Sequence, residues 1–180
     1  MPFDGFFARA VAAELQALEG AKVERVNHNA KEYVELCLYL PGAGRRTLVI
    51  SVCPSDARIA LVDGEESRAA VPTMFCMLLR KHITGGRVAD VKQIHCDRIL
   101  EITIEHYDEL GERATKRLVC EFMGKHSNLI FVGGDGRIID SARRVTDTMS
   151  SVREVLPGLR YERPPAHGKI PFAEVTPEDL

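Results

Sequence analysis

The sequence predicts an α+β fold, a mostly antiparallel β-sandwich or barrel-like sheet with two or three helices packed on it. Three observations predict it. Segments in which apolar and polar residues alternate recur along most of the 180 residues. Short turns such as PGAG and GGDG separate them, which is the spacing of hairpins rather than of parallel crossovers. Helical spacing is confined to a few short stretches. With 45% hydrophobic residues the chain has enough apolar material to fold around a core of its own.

Taken in order, Asp4 is placed to cap a helix whose apolar residues Phe7, Val11, Leu15 and Leu18 share one face, with Gly20 as its stop. The period then changes to two. Val34, Leu36, Leu38 and Leu40 alternate with Tyr33, Glu35, Cys37 and Tyr39, and after PGAG the residues Leu48, Ile50 and Val52 resume, predicting a hairpin with one buried side. A short strand over 58–62 and the acidic turn DGEES follow. Pro72 then suits the first position of a short apolar helix, TMFCMLLRKHI, closed by Gly85 and Gly86. RVADVKQI, RILEITIEH, TKRLVCEFM, NLIFV and RIID read as hairpin-linked strands. SSVREVL predicts a short helix before a Pro-Gly stop, and YERPPAHGKIPF is Pro-rich and extended. The expected organisation is one domain over 1–165 and an extended strap over 166–180.

A net charge of -2 argues against a generic polyanion binder, so a nucleic-acid site has to be a local patch. Charge is uneven: residues 1–79 carry 8 Lys/Arg against 10 Asp/Glu, and residues 80–160 carry 14 against 12. Five scattered cysteines without CxxC spacing read as reduced thiols of a cytoplasmic protein, and the six histidines show neither HxxxH nor HExxH spacing, so neither a metal nor a cofactor is expected. The absence of a signal-like or membrane-length apolar segment speaks against secretion and against a membrane partner.

Three groups of residues stand out chemically. Asp97-Arg98 joins two predicted strands. In extended backbone the two side chains would face opposite ways, with Asp97 either capping a turn or pairing with Arg80 or Arg87, or else orienting Arg98 toward a phosphate or base. The break between two later strands holds Gly124, Lys125, His126, Ser127 and Asn128, either a hairpin corner or a lip that grips an RNA backbone. A phosphate-loop reading of it fails, because the GxxxxGK[ST] pattern needs glycine where Val119 stands and Ser/Thr where His126 stands. Arg80 and Lys81 close the second helix, where cations complement its dipole, and together with Arg87, Arg98, Lys125, Arg143, Arg144 and Arg153 they are candidates for one basic, RNA-binding face. Pro2, exposed by methionine removal, offers a secondary amine able to attack an aldehyde carbon.

PFDGF near the start, VPTMFCMLLRKHITGG (71–86), QIHCDRIL (93–100), DELG (108–111), EFMGKHSNLI (121–130), IIDSARRV (138–145) and VREVLPGLRY (152–161) resemble, in this order, the motifs of the NFACT-N family of RqcH/NEMF-type ribosome quality-control factors, long labelled fibronectin-binding protein A. The resemblance implies a non-enzymatic domain that binds tRNA, alanyl-tRNA in bacteria, on a large ribosomal subunit with a stalled peptidyl-tRNA, supporting alanine tailing of the stalled chain. It puts the family's tRNA-engaging Asp-Arg pair on Asp97-Arg98 and its GKHSN element on Gly124 to Asn128. It also implies a fold similar to the front domain of formamidopyrimidine-DNA glycosylases. Two alternatives follow, a glycosylase or AP lyase acting through Pro2, against which Phe3 stands in place of the catalytic glutamate, and an adhesin for fibronectin or fibrinogen.

Overall fold

The structure is a computed structural model that describes residues 3–30, 32–64 and 71–165; Pro2 and the expected strap over 166–180 lie outside them. Asp4 caps α1 (Gly5–Leu15), its carboxylate accepting from the backbone N–H of Phe7, and a 3₁₀ turn (Gln16–Leu18) continues the helix to Gly20. The strands are β1 (Lys22–Ala30), β2 (Tyr33–Leu40), β3 (Gly44–Ser51) and β4 (Arg58–Val62), then β5 (Arg87–Gln93), β6 (Ile99–Tyr107), β7 (Arg113–Glu121), β8 (Asn128–Val132) and β9 (Ile138–Ser141). Helix α2 (Met74–Ile83) lies between the two sets.

All nine strands form one antiparallel sheet in the order β4-β3-β2-β1-β5-β6-β7-β8-β9. Flat, it would be about 40 Å wide, too wide for its ends to share side-chain contacts. One core nevertheless takes Val23, Leu36, Ile50 and Ile59 from the first set, Leu100, Ile102, Leu118 and Phe131 from the second, and residues of both helices, so the sheet is curled around it. An ion pair closes the curl: Glu32, just before β2, meets Arg143, just after β9, across six places in the strand order. At the joint between the sets, Gly86 is pressed so tightly that a Cβ would lie 2.8 Å from the Glu105 carbonyl oxygen.

Several expectations need correction. Strand β1 goes unannounced in the sequence, because its polar residues Glu24, Arg25 and Asn27 interrupt the apolar pattern and two bulges shift its register. The hairpin β2–β3 is buried on both sides in its middle, where Glu35 and Cys37 are covered like their apolar neighbours. Pro72 precedes the helix rather than opening it; Thr73 is the cap, its hydroxyl accepting from Cys76 N–H. The predicted helix over 150–156 does not form: Val155 bridges Val145, Arg160 bridges Arg137, and this segment covers a second, smaller core of Ile99, Val119, Ile130 and Val132. Val155 is drawn to the outer face of the sheet, which outweighs a weak local helical preference. Among the described residues the two α-helices are α1 and α2, and neither is long and apolar enough to cross a membrane, which does not bear on β-barrels. All five cysteines are free; Cys37, Cys76 and Cys120 are buried and Cys96 is exposed.

Candidate nucleic-acid interface

One end of the β6–β7–β8 ladder gathers most of the residues singled out in the sequence. Ile99 pairs with Glu121 and Glu121 with Asn128, so the β5–β6 turn and the β7–β8 turn leave the sheet side by side. The backbone N–H of Phe122 donates to the Arg98 carbonyl (2.9 Å), tying the two turns together.

The first turn is not extended. His95 and Cys96 both have positive φ (46° and 55°), a conformation that costs about 1–2 kcal/mol for each residue with a Cβ. Hydrogen bonds hold it: Ile94 N–H to the Ile99 carbonyl (3.0 Å), Asp97 N–H to the Ile94 carbonyl (2.9 Å), and the Gln93 amide to the carbonyls of both Asp97 and Gly5 (2.8 Å each). Gly5, at the start of α1, backs the turn so closely that a Cβ there would lie 2.5 Å from the Cys96 carbonyl oxygen. The Asp97 carboxylate accepts the backbone N–H of its own neighbour Arg98 (2.7 Å), so the acid shapes the turn and pairs with neither Arg80 nor Arg87. The half-buried Arg98 side chain has no hydrogen-bond or ion-pair partner among the described residues.

The second turn divides into a frame and a display. Ser127 is fully buried; its hydroxyl accepts from Met123 N–H (2.9 Å) and donates to the Gly124 carbonyl (2.7 Å), leaving it unavailable as a nucleophile. Asn128, also buried, donates to the Arg143 carbonyl (2.8 Å) and accepts from the N–H groups of Leu129 and Arg143 (2.9 and 3.0 Å). Gly124, at φ 57°, starts the 3₁₀ turn that lifts Lys125 and His126 into solvent.

The three arginines expected to meet phosphate are already neutralised. Arg143 pairs with Glu32 through two nitrogens (2.8 and 2.5 Å) and donates to the Lys125 carbonyl (2.7 Å). Arg144 meets both oxygens of Asp140 (3.1 and 3.2 Å). Arg153 is paired with the fully buried Glu121, which also accepts from the Tyr161 hydroxyl (2.8 Å). Burial pushes the Glu121 carboxyl above the usual carboxylate range, opposed by Arg153 and Tyr161 and reinforced by the nearby Asp97 charge. Burial and Glu121 push the Tyr161 hydroxyl upward in turn.

Arg80, Lys81 and Arg87 are elsewhere. Arg87 stands opposite Glu105 in the β5–β6 register near the far end of β6, about 20 Å along the sheet from the turn, and its guanidinium caps the Gly20 carbonyl (3.0 Å). Arg80 is bound to the Val26 carbonyl (2.7 Å), and Lys81 is exposed at the end of α2. Conversely, sequence reasoning assigned no supporting role to Gly5, Glu32, Gln93 or Glu121, although all but Glu32 lie within the motifs quoted above. A glutamate within the apolar run of β7 is the single hint, for Glu121 alone.

Together, the curled sheet and the rim define a class: a β-rich α+β domain that presents a few charged side chains on two rigidly tied turns. The chain belongs to the NFACT_N family, whose model, described as NFACT N-terminal and middle domains, matches residues 4–180. Among curated relatives it is 34% identical to the Rqc2 homolog RqcH of Bacillus subtilis (strain 168) over 182 residues, covering 100% of this chain and 32% of that protein. Among solved structures it is similar to the N-terminal part of the fibronectin/fibrinogen-binding protein from Streptococcus suis (TM-score 0.90, 33% identity, 98% of this chain and 67% of that one). It is also similar to the N-terminal domain of fibronectin-binding protein PavA from Streptococcus pneumoniae (TM-score 0.89, 30% identity, 98% and 66%). The chain thus spans about a third of the length of the curated relative.

Proposed function

We propose that the chain is the tRNA-binding part of a cytoplasmic ribosome quality-control factor, engaging alanyl-tRNA on a large subunit that carries a stalled peptidyl-tRNA and so supporting alanine tailing without catalysing a reaction itself. The observation that carries this reading is the contrast on the rim: among the described residues Arg98 and Lys125 keep unpaired cationic side chains on two bonded turns, whereas the neighbouring arginines are consumed by ion pairs. A strained, over-determined turn beneath Arg98 suits a group that must be aimed before its partner arrives. The kinship with relatives named Rqc2 homolog RqcH supports the same reading.

The test is tRNA binding by wild type and by Asp97→Ala/Arg98→Ala at two salt concentrations, with folding checked by circular dichroism. The expected result is salt-sensitive binding by wild type, falling by about 0.7–0.9 log units per log unit of salt for each phosphate neutralised, and its loss in the folded double variant. Equal binding by both proteins would sink the assignment to this rim.

The names of the similar solved structures favour a second reading, a fibronectin- or fibrinogen-binding surface. Surface-plasmon measurement on immobilised fibronectin beside immobilised tRNA separates the two. The lyase alternative depends on Pro2, and borohydride trapping on abasic DNA tests it, with no covalent adduct expected.

A further inference from the structure

The two faces of β6 and β7 are balanced differently. On the outer face Glu101 pairs with Arg117 (3.1 Å) and Lys92 (3.8 Å), and Glu105 pairs with Arg113. On the core face the apolar run Leu100, Ile102, Ile104 and, opposite it, Cys120 and Leu118 gives way toward the 108–112 turn to two basic residues, His106 and Lys116. Helix α2 adds a third, His82, whose ring lies 5.8 Å from that of Phe131 and whose Nδ1 is 3.2 Å from the Lys116 Nζ. With Lys116 as donor, that imidazole is neutral at Nδ1 and carries its proton on Nε2. His106 is near enough for its charge to oppose protonation of His82, and its Nε2 is closed to solvent with no hydrogen-bond partner among the described residues.

Among the described residues the other charges that act on His82 and Lys116 are Lys81 from α2 and Asp108 from the turn. Asp108 is exposed, and its Oδ1 accepts the backbone N–H groups of Leu110 and Glu112 (2.9 Å each). The carbonyl end of α2 adds about half a negative charge, yet the hydrogen bond of Lys116 goes to His82. Three basic groups therefore converge on one face with no carboxylate bonded to any of them among the described residues. Burial, then neighbouring positive charge, holds His82 below its ordinary pKa, and burial does the same to Lys116.

We propose that Lys116, His82 and His106 form a second, phosphate-binding site, whose ligand is a phosphodiester of the RNA backbone. It rests on the RNA reading above only for the source of the phosphate. When the anion binds, Lys116 turns from His82 toward it and His82 takes up a proton from solvent at Nδ1, so both groups donate to phosphate oxygens. Affinity consequently rises as pH falls through the histidine range.

Nitrogen-detected histidine spectra of the chain, titrated with inorganic phosphate against chloride at constant ionic strength, test the site directly. The His82 and His106 ring signals should move, the His82 midpoint should rise, and neither should happen in Lys116→Met. Rings that stay still in wild type, or move equally in the variant, overturn the proposal. A parallel titration with single-stranded RNA tests the source, and Lys116→Met should reduce the salt slope by about 0.7. Rings that respond to phosphate beside an unchanged RNA slope overturn the backbone assignment in favour of a free phosphate ester. If Asp97→Ala/Arg98→Ala binds RNA like wild type while phosphate still moves the rings, the rim reading fails and this site stands.

Discussion

Arg143 and Lys125 touch through a single hydrogen bond, from guanidinium to main-chain carbonyl, and their side chains have opposite tasks. The guanidinium of Arg143 is spent on Glu32 and on the turn, whereas the ammonium of Lys125 is spent on nothing in the described protein. Arg143→Ala should therefore cost about 1–3 kcal/mol in urea denaturation, because it strands a half-buried Glu32 and the Lys125 carbonyl. Lys125→Ala should leave the denaturation midpoint in place and weaken tRNA binding, measured at low salt by filter retention. A reversal of these two outcomes would mean that Arg143 faces the ligand and Lys125 the frame.

At the scale of elements, the rim depends on α1 as much as on the strands. Gly5→Ala drives a Cβ into the Cys96 carbonyl, a backbone atom that cannot swing aside, and should cost about 1–3 kcal/mol while displacing the Asp97-Arg98 turn. The expected signature is weaker tRNA binding with every charged side chain intact, read by comparing affinity with the thermal midpoint. The segment after β9 is anchored by Glu121, Arg153 and Tyr161. Because burial raises the Glu121 pKa, the folded protein holds that proton more tightly than the unfolded chain does, and this group's contribution is greatest at low pH. It is lost as pH rises from the ordinary carboxylate value through the raised one. Stability of wild type relative to Glu121→Gln should accordingly decline with rising pH across that window in urea titrations. A flat difference would show that Arg153 offsets the burial completely.

At the scale of the molecule, one core spans both strand sets, so the two should unfold together. Phe131→Ala should remove about 3–5 kcal/mol, and a probe in β2–β3 should report the same midpoint shift as one in β6–β8. Two separated transitions would contradict a core shared by both strand sets.

Much of this was legible in one dimension. Alternation located eight of the nine strands, the Asp4 cap located α1, an apolar run before Gly85 and Gly86 located α2, and the odd composition of 97–98 and 124–128 marked the two turns that meet at the rim. These signals are local: a face, a cap or a turn leaves its imprint on adjacent residues. Tertiary structure alone decided the rest. Whether an arginine is spent or available depends on carboxylates remote in sequence, 111 residues away for Arg143 and Glu32, and composition cannot show that distance being closed. The same holds for β1, whose polar residues become a strand only between β2 and β5, and for His82, Lys116 and His106, which converge because a curled sheet and the end of α2 share one face.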